Sequence, residues 1–223
     1  MSKKTFHFIL EKIEPIISKL PADKPCICPE ERLMALNKEF IPFPSTAAFE
    51  KIEMDFSEKW KFPNCIGAIT CRRIRIKTPA KSGTQRSSCK KYVSLHLQAV
   101  ADAGCKFTTV EVGEYGSRSA SGLFNTSTLY QLIRLNRLNI PPPKPLSGTS
   151  HNVPHVFVGD AGYPLKRNLL RPYTDNEDAE KTYFNEQLSI VRRCVECALG
   201  LLVAKWRCLK TELQATPGYA ASI

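Results

Sequence analysis

Two carboxylates stand out by position. Asp160 follows the apolar run VFVG and precedes Ala161, Gly162 and Tyr163, which puts an acid at the exposed end of a buried strand, where a pocket can form. Glu196 directly follows Val195, beside the apolar stripe of a long helical segment. From that flank a side chain can look along a sheet edge toward the strand ends. An acid on a strand and an acid on a helix can share a divalent ion, and such ions activate water and stabilise leaving oxygens in phosphodiester chemistry. Plainer roles fit the same residues: Asp160 as a turn residue, Glu196 as a helix-surface acid paired with Arg192 or Arg193. The residues alone leave both readings open.

The second chemical feature is charge. Lys and Arg number 32 against 21 Asp and Glu, a net charge of +11. Residues 61–173 hold 17 basic and 4 acidic side chains, while both flanks are close to neutral, so the excess is concentrated in the middle of the chain. Its densest stretch, CRRIRIKTPAKSGTQRSSCKK, carries Arg72, Arg73, Arg75, Lys77, Lys81, Arg86, Lys90 and Lys91 with no carboxylate. A field of this kind attracts polyanions, with DNA as the expected partner. A solvated basic loop fits the charge equally well.

The elements that must position these residues are legible in outline. At 223 residues the chain can bury one substantial core. No apolar run approaches the roughly 18 residues that span a bilayer, so no membrane association is expected. Nine cysteines without a secretory signal favour reduced thiols in the nucleus or cytosol. Cys26 with Cys28 and Cys194 with Cys197 are the close pairs, and no histidine set completes a zinc site.

Residues 1–20 read as an amphipathic helix, 29–40 as a second, and AAFEKIEMDFSEKW as a third, capped by Ser45 or Thr46. From Asn64 the texture is that of strands: CIGAIT, RIRI, then YVSLHLQAVADAG and KFTTVEVGEYG, with Asp102-Ala103-Gly104 as a hairpin turn. STLYQLIRLNRL reads as a helix, HVFVGD as a buried strand, and residues from about Asp178 to Leu209 as a long closing helix. That helix's stripe is Phe184, Leu188, Val191, Val195, Leu199, Leu202 and Trp206. The order predicts an α/β fold.

At this point a resemblance becomes specific. The strings KFPNCIGAI, LQAVADAGCKFTTVEVGEYGS, LFNTSTLYQLI, LNIPPP, VPHVFVGDAGYPLKRNLLRPY and FNEQLSIVRRCVECALGLLVAKWR resemble the core of PIF/Harbinger transposases and the DDE-superfamily nucleases derived from them. They follow the family's order over roughly residues 60–210. The resemblance implies an RNase-H-like mixed sheet core over 61–213, a short N-terminal helical region over 1–60 and a tail over 214–223. It also implies metal-dependent DNA hydrolysis or strand transfer by two aspartates and a glutamate that hold Mg or Mn. Asp160 in GDAGY matches the second aspartate and Glu196 in RRCVECALG the glutamate.

The first aspartate's position holds Thr70, with Cys71 in place of the following glycine. Asp102 is the nearest acid in the matched region, in a context that suits a turn, and Ala120 stands where the family often has a further acid. Cleavage is therefore expected to be weak or absent, and the chain is expected to lack the family's helix-turn-helix part and terminal helices. The resemblance further implies a nuclear protein and a Myb/SANT-like DNA-binding partner. A noncatalytic DNA- or partner-binding protein, or a decaying transposon remnant, are the other readings.

Overall fold

The computed structural model describes residues 41–77, 93–113, 119–175 and 178–214. The helices expected over 1–20 and 29–40, and the tail from 215, lie outside the described residues.

Helix α1 (Thr46–Trp60) starts at Ser45, whose hydroxyl accepts the Ala48 N–H at 3.3 Å, one of the two caps the sequence offers. It buries Phe49, Glu53 and Phe56, four and three residues apart on one side. Strand β1 (Cys65–Ile76) follows as one unbroken 12-residue strand, where the sequence suggests two pieces. Strands β2 (Val93–Ala101) and β3 (Phe107–Gly113) complete an antiparallel meander. The β2–β3 turn is fixed by Asp102, whose carboxylate accepts the N–H groups of Gly104 at 2.8 Å and Lys106 at 2.9 Å.

Two short helices come next, α2 (Ala120–Thr126), which the sequence pattern does not anticipate, and α3 (Thr128–Arg134), which falls within the helix expected over 127–138. Ser127 divides them. Its backbone is extended, and its hydroxyl donates to the Phe124 carbonyl at 2.7 Å and accepts the Tyr130 N–H at 3.2 Å, so one side chain ends a helix and caps the next. Leu135, inside the helix expected over 127–138, lies beyond the end of α3 and is exposed.

The proline-rich connector forms a two-stranded ribbon, β4 (Lys144–Pro145) with β5 (Asn152–Val153). Strands β6 (Val156–Val158) and β7 (Leu169–Leu170) then join the main sheet, and α4 (Ala179–Lys205) closes the fold. A one-turn 3-10 helix, Arg207–Lys210, follows a break at Trp206, so the long helix ends a little before the sequence suggests.

The sheet order is β3-β2-β1-β6-β7, with β6 and β7 parallel to β1. This is a mixed α/β, RNase-H-like architecture. Helix α4 lays Leu188, Val191, Cys194, Val195 and Ala198 against Cys65, Ala68 and Val158 on one face. On the other face Phe49, Phe124 and Leu129 cover Ile66, Ile69 and Phe157. Each large apolar side chain withdrawn in this way stabilises the fold by roughly 1.5–3 kcal/mol. Gly67 is required where the sheet is tightest: a Cβ there would meet Val100 Cγ1 at 2.6 Å and the Phe157 ring at 3.0 Å.

Candidate functional site

The parallel pairing of β1 with β6 brings the first two positions together. Ala68 pairs with Val158, and Thr70 and Asp160 each lie two residues further along, so they stand level at the C-terminal end of β6. The alternation of β1 decides where Thr70 faces. Ala68, Ile74 and Ile76 belong to the clusters packed by α4, whereas Ile69 and Cys71 belong to the opposite one, so Thr70 shares the α4 face and is 8% exposed.

Glu196 comes to the same place from α4. Its register puts Val191, Cys194, Val195 and Ala198 in the core and leaves Glu196 on the exposed flank. Between the two acids lies Arg192, one helical turn before Glu196. Its Nη2 is 3.3 Å from Glu196 Oε1 and 3.7 Å from Asp160 Oδ2. The plainer roles read from the sequence are both realised: Glu196 pairs with Arg192 on the helix, and Asp160 closes a turn by accepting the Gly162 N–H at 2.8 Å. What the sequence does not give is that one guanidinium reaches both acids.

The loop beyond Asp160 is anchored by Tyr163, which is fully buried, its ring edge-on to Phe124. That ring explains Gly159, since a Cβ there would approach it to 3.1 Å. Gly162 is equally constrained, because a Cβ would lie 2.9 Å from Asp160 Oδ1 and 3.4 Å from the Ala120 methyl. Ala120, at the start of α2, is thus a neighbour of the Asp160 loop. On the β1 side Cys71 packs into this region, and its thiol is pushed up to about 11, chiefly by burial and then by the Asp160 carboxylate. Burial raises the Tyr163 hydroxyl as well. The sequence pattern alone does not single out Tyr163, although a bulky aromatic just after the glycines of GDAGY is the available signal.

Asp102 does not join the site. It is committed to its own turn, and the β1–β2 pairing sets Ala99, not Asp102, opposite Thr70.

Among the basic residues, Arg73 and Arg75 are strand residues of β1, as expected for RIRI, and Arg72 joins the same unbroken strand; Ile74 and Ile76, which alternate with Arg73 and Arg75, are buried. Arg73, Arg75 and Lys77 are exposed and Arg72 is half-buried. Lys81, Arg86, Lys90 and Lys91 lie outside the described residues.

Sequence reasoning also missed Glu53. It is a buried acid of α1 that accepts the Asn64 N–H at 3.1 Å and pairs with Lys144, tying α1, the start of β1 and the ribbon together.

The residues present do not fit a two-ion centre. Thr70, the position the resemblance matches to a first acid, offers a neutral hydroxyl, the Asp160 and Glu196 carboxylates already face Arg192, and no three His, Cys, Asp or Glu side chains among the described residues group as metal ligands. Among the described residues no helix is long and apolar enough to cross a membrane.

A sheet of this topology, with acids beyond β6 and on the closing helix, is consistent with the RNase-H-like fold of the DDE superfamily. Residues 69–223 match the family model described as DDE superfamily endonuclease, and the chain belongs to that family. It is 30% identical over 161 residues to "Protein ALP1-like" of Arabidopsis thaliana, covering 71% of this chain and 39% of that protein. It is 26% identical over 197 residues to "Putative nuclease HARBI1" of Rattus norvegicus, covering 86% of this chain and 52% of that protein. The chain therefore spans about half or less of the length of these relatives. No solved structure matches it.

Proposed function

We propose that this chain is a transposase-derived, DDE-superfamily protein that binds duplex DNA and cuts it at or near background. The observation that carries the reading is Thr70 standing level with Asp160: the position from which the family's first aspartate would bridge two ions holds a hydroxyl, which cannot neutralise hard cations. DNA binding is supported by the net charge of +11 and by Arg73, Arg75 and Lys77, exposed along and just past β1. Contacts of this type hold the phosphate backbone and carry little sequence information. Sequence choice in this reading comes from a Myb/SANT-like partner, and the protein works in the nucleus.

The test is a supercoiled-plasmid nicking assay with magnesium or manganese, run beside Asp160→Ala, with duplex binding followed by fluorescence anisotropy. The expected result is binding that weakens steeply with salt and no metal-dependent nicking above the Asp160→Ala protein. Metal-dependent nicking that Asp160→Ala abolishes would overturn it.

A further inference from the structure

We infer that the guanidinium of Arg192 occupies the seat between Asp160 and Glu196 that a divalent ion would fill, so that the acid pair is closed by an internal cation and restoring the first acid alone does not reopen it. The inference rests on the reading of the site as noncatalytic and adds what holds it shut.

Among the described residues Arg192 is the cation within ion-pair distance of both carboxylates, 3.7 Å from Asp160 and 3.3 Å from Glu196. It is not a solvated surface charge. Its side chain is 17% exposed, against 34% for Asp160 and 57% for Glu196, and its Nε is buried without a hydrogen-bond partner. A guanidinium withdrawn this far from water must have its charge met nearby, and these carboxylates meet it. Its planar fork of donors suits two separate oxygens, and it does not lose its proton in the pH range of a folded protein, so the closing charge persists across that range.

Charge sets what the acid pair can hold. Two carboxylates and one guanidinium leave a single net negative charge, too little to draw in a hard dication. An aspartate at position 70 would add a third carboxylate on the α4 face, and Arg192 is the cation already there to meet it. The guanidinium would be held more firmly, and an arriving ion would have to displace it from a half-buried seat.

The experiment is manganese binding to the full chain, read from the electron paramagnetic resonance signal of free manganese. The proteins are the unmodified chain, Thr70→Asp, Arg192→Gln, Thr70→Asp/Arg192→Gln and Thr70→Asp/Arg192→Lys. Arg192→Gln keeps the aliphatic stem and a polar head without the charge. The unmodified chain, Thr70→Asp and the lysine double variant should bind alike. Thr70→Asp/Arg192→Gln should bind at least about tenfold tighter, the scale on which supporting groups alter metal affinity.

Thr70→Asp binding as tightly as the glutamine double variant overturns the inference, and so does a folded double variant that binds no better than Thr70→Asp. If the double variant does not fold, the Arg192 Nε–H resonance of the unmodified chain decides. Protection from exchange and insensitivity to added magnesium support the closure, and rapid exchange or a magnesium-dependent shift overturns it. Failure of the functional reading is a separate result, plasmid nicking by the unmodified chain. A protein that does not nick but takes up manganese after Thr70→Asp alone overturns only the role of Arg192.

Discussion

Thr70 on β1 and Asp160 beyond β6 stand side by side because Ala68 pairs with Val158, two residues before each of them. Neighbouring strands are about 4.8 Å apart, so a carboxylate at residue 70 would face Asp160 at close range. Thr70→Asp should therefore lower stability by about 2 kcal/mol, from like-charge repulsion at a nearly buried position partly offset by Arg192. Urea unfolding checks this, and an unchanged midpoint would place residue 70 away from the acids.

Replacing Arg73 and Arg75 with Ala should weaken duplex binding to a similar degree on unrelated sequences. It should also flatten the dependence of log affinity on log salt by roughly one for each phosphate no longer neutralised. Anisotropy titrations at several salt concentrations test it. Affinity and slope that stay unchanged would remove β1 from the binding surface.

Gly67→Ala should destabilise the fold by about 1–3 kcal/mol, because the added methyl meets Val100 and Phe157 inside the packed sheet. Its melting temperature should fall while the neighbouring Ala68→Gly, which relieves rather than adds crowding, shows no such clash. A wild-type melt for Gly67→Ala would contradict the packing described.

Glu53→Ala should cost about 2 kcal/mol. The loss comes from the buried Asn64 N–H that the carboxylate accepts, since Lys144, nearly half exposed, can return to water. Chemical unfolding of Glu53→Ala beside Lys144→Ala separates the two, and the lysine variant should lose less.

Stability should fall as pH rises from about 9 to about 11. The unfolded Cys71 thiol ionises from its ordinary value of 9.0, whereas in the folded protein burial and then the Asp160 carboxylate hold the proton up to about 11. The folded state thus binds more protons across that window, and the stability present below it is lost through it. Cys194, pushed up to about 12 chiefly by burial, contributes in the same direction. Cys71→Ala should make the decline shallower without abolishing it, and an identical pH profile for the variant would speak against the buried thiol.

The family and the α/β class are legible in the amino-acid sequence, because they are carried by ordered motifs and by the alternation of apolar residues along each segment. So are the Asp102 turn and the cap at Ser45, where a side chain bonds its own near neighbours. Local chemistry was less decisive before Ser127, where the unanticipated α2 ends and the expected helix begins, and at Trp206, where α4 stops short. The contents of the site were settled by tertiary packing. Arg192 and Glu196 are neighbours on one helix and could be paired from spacing, but Asp160 is 32 residues earlier in the chain than Arg192. It reaches the same guanidinium only because β6 lies parallel beside β1 and α4 packs across that face. The same holds for Glu53 and Lys144, and for Tyr163 against Phe124. Contacts between segments far apart in sequence depend on strand register and on which helix face is buried, and neither is written in any short stretch of residues.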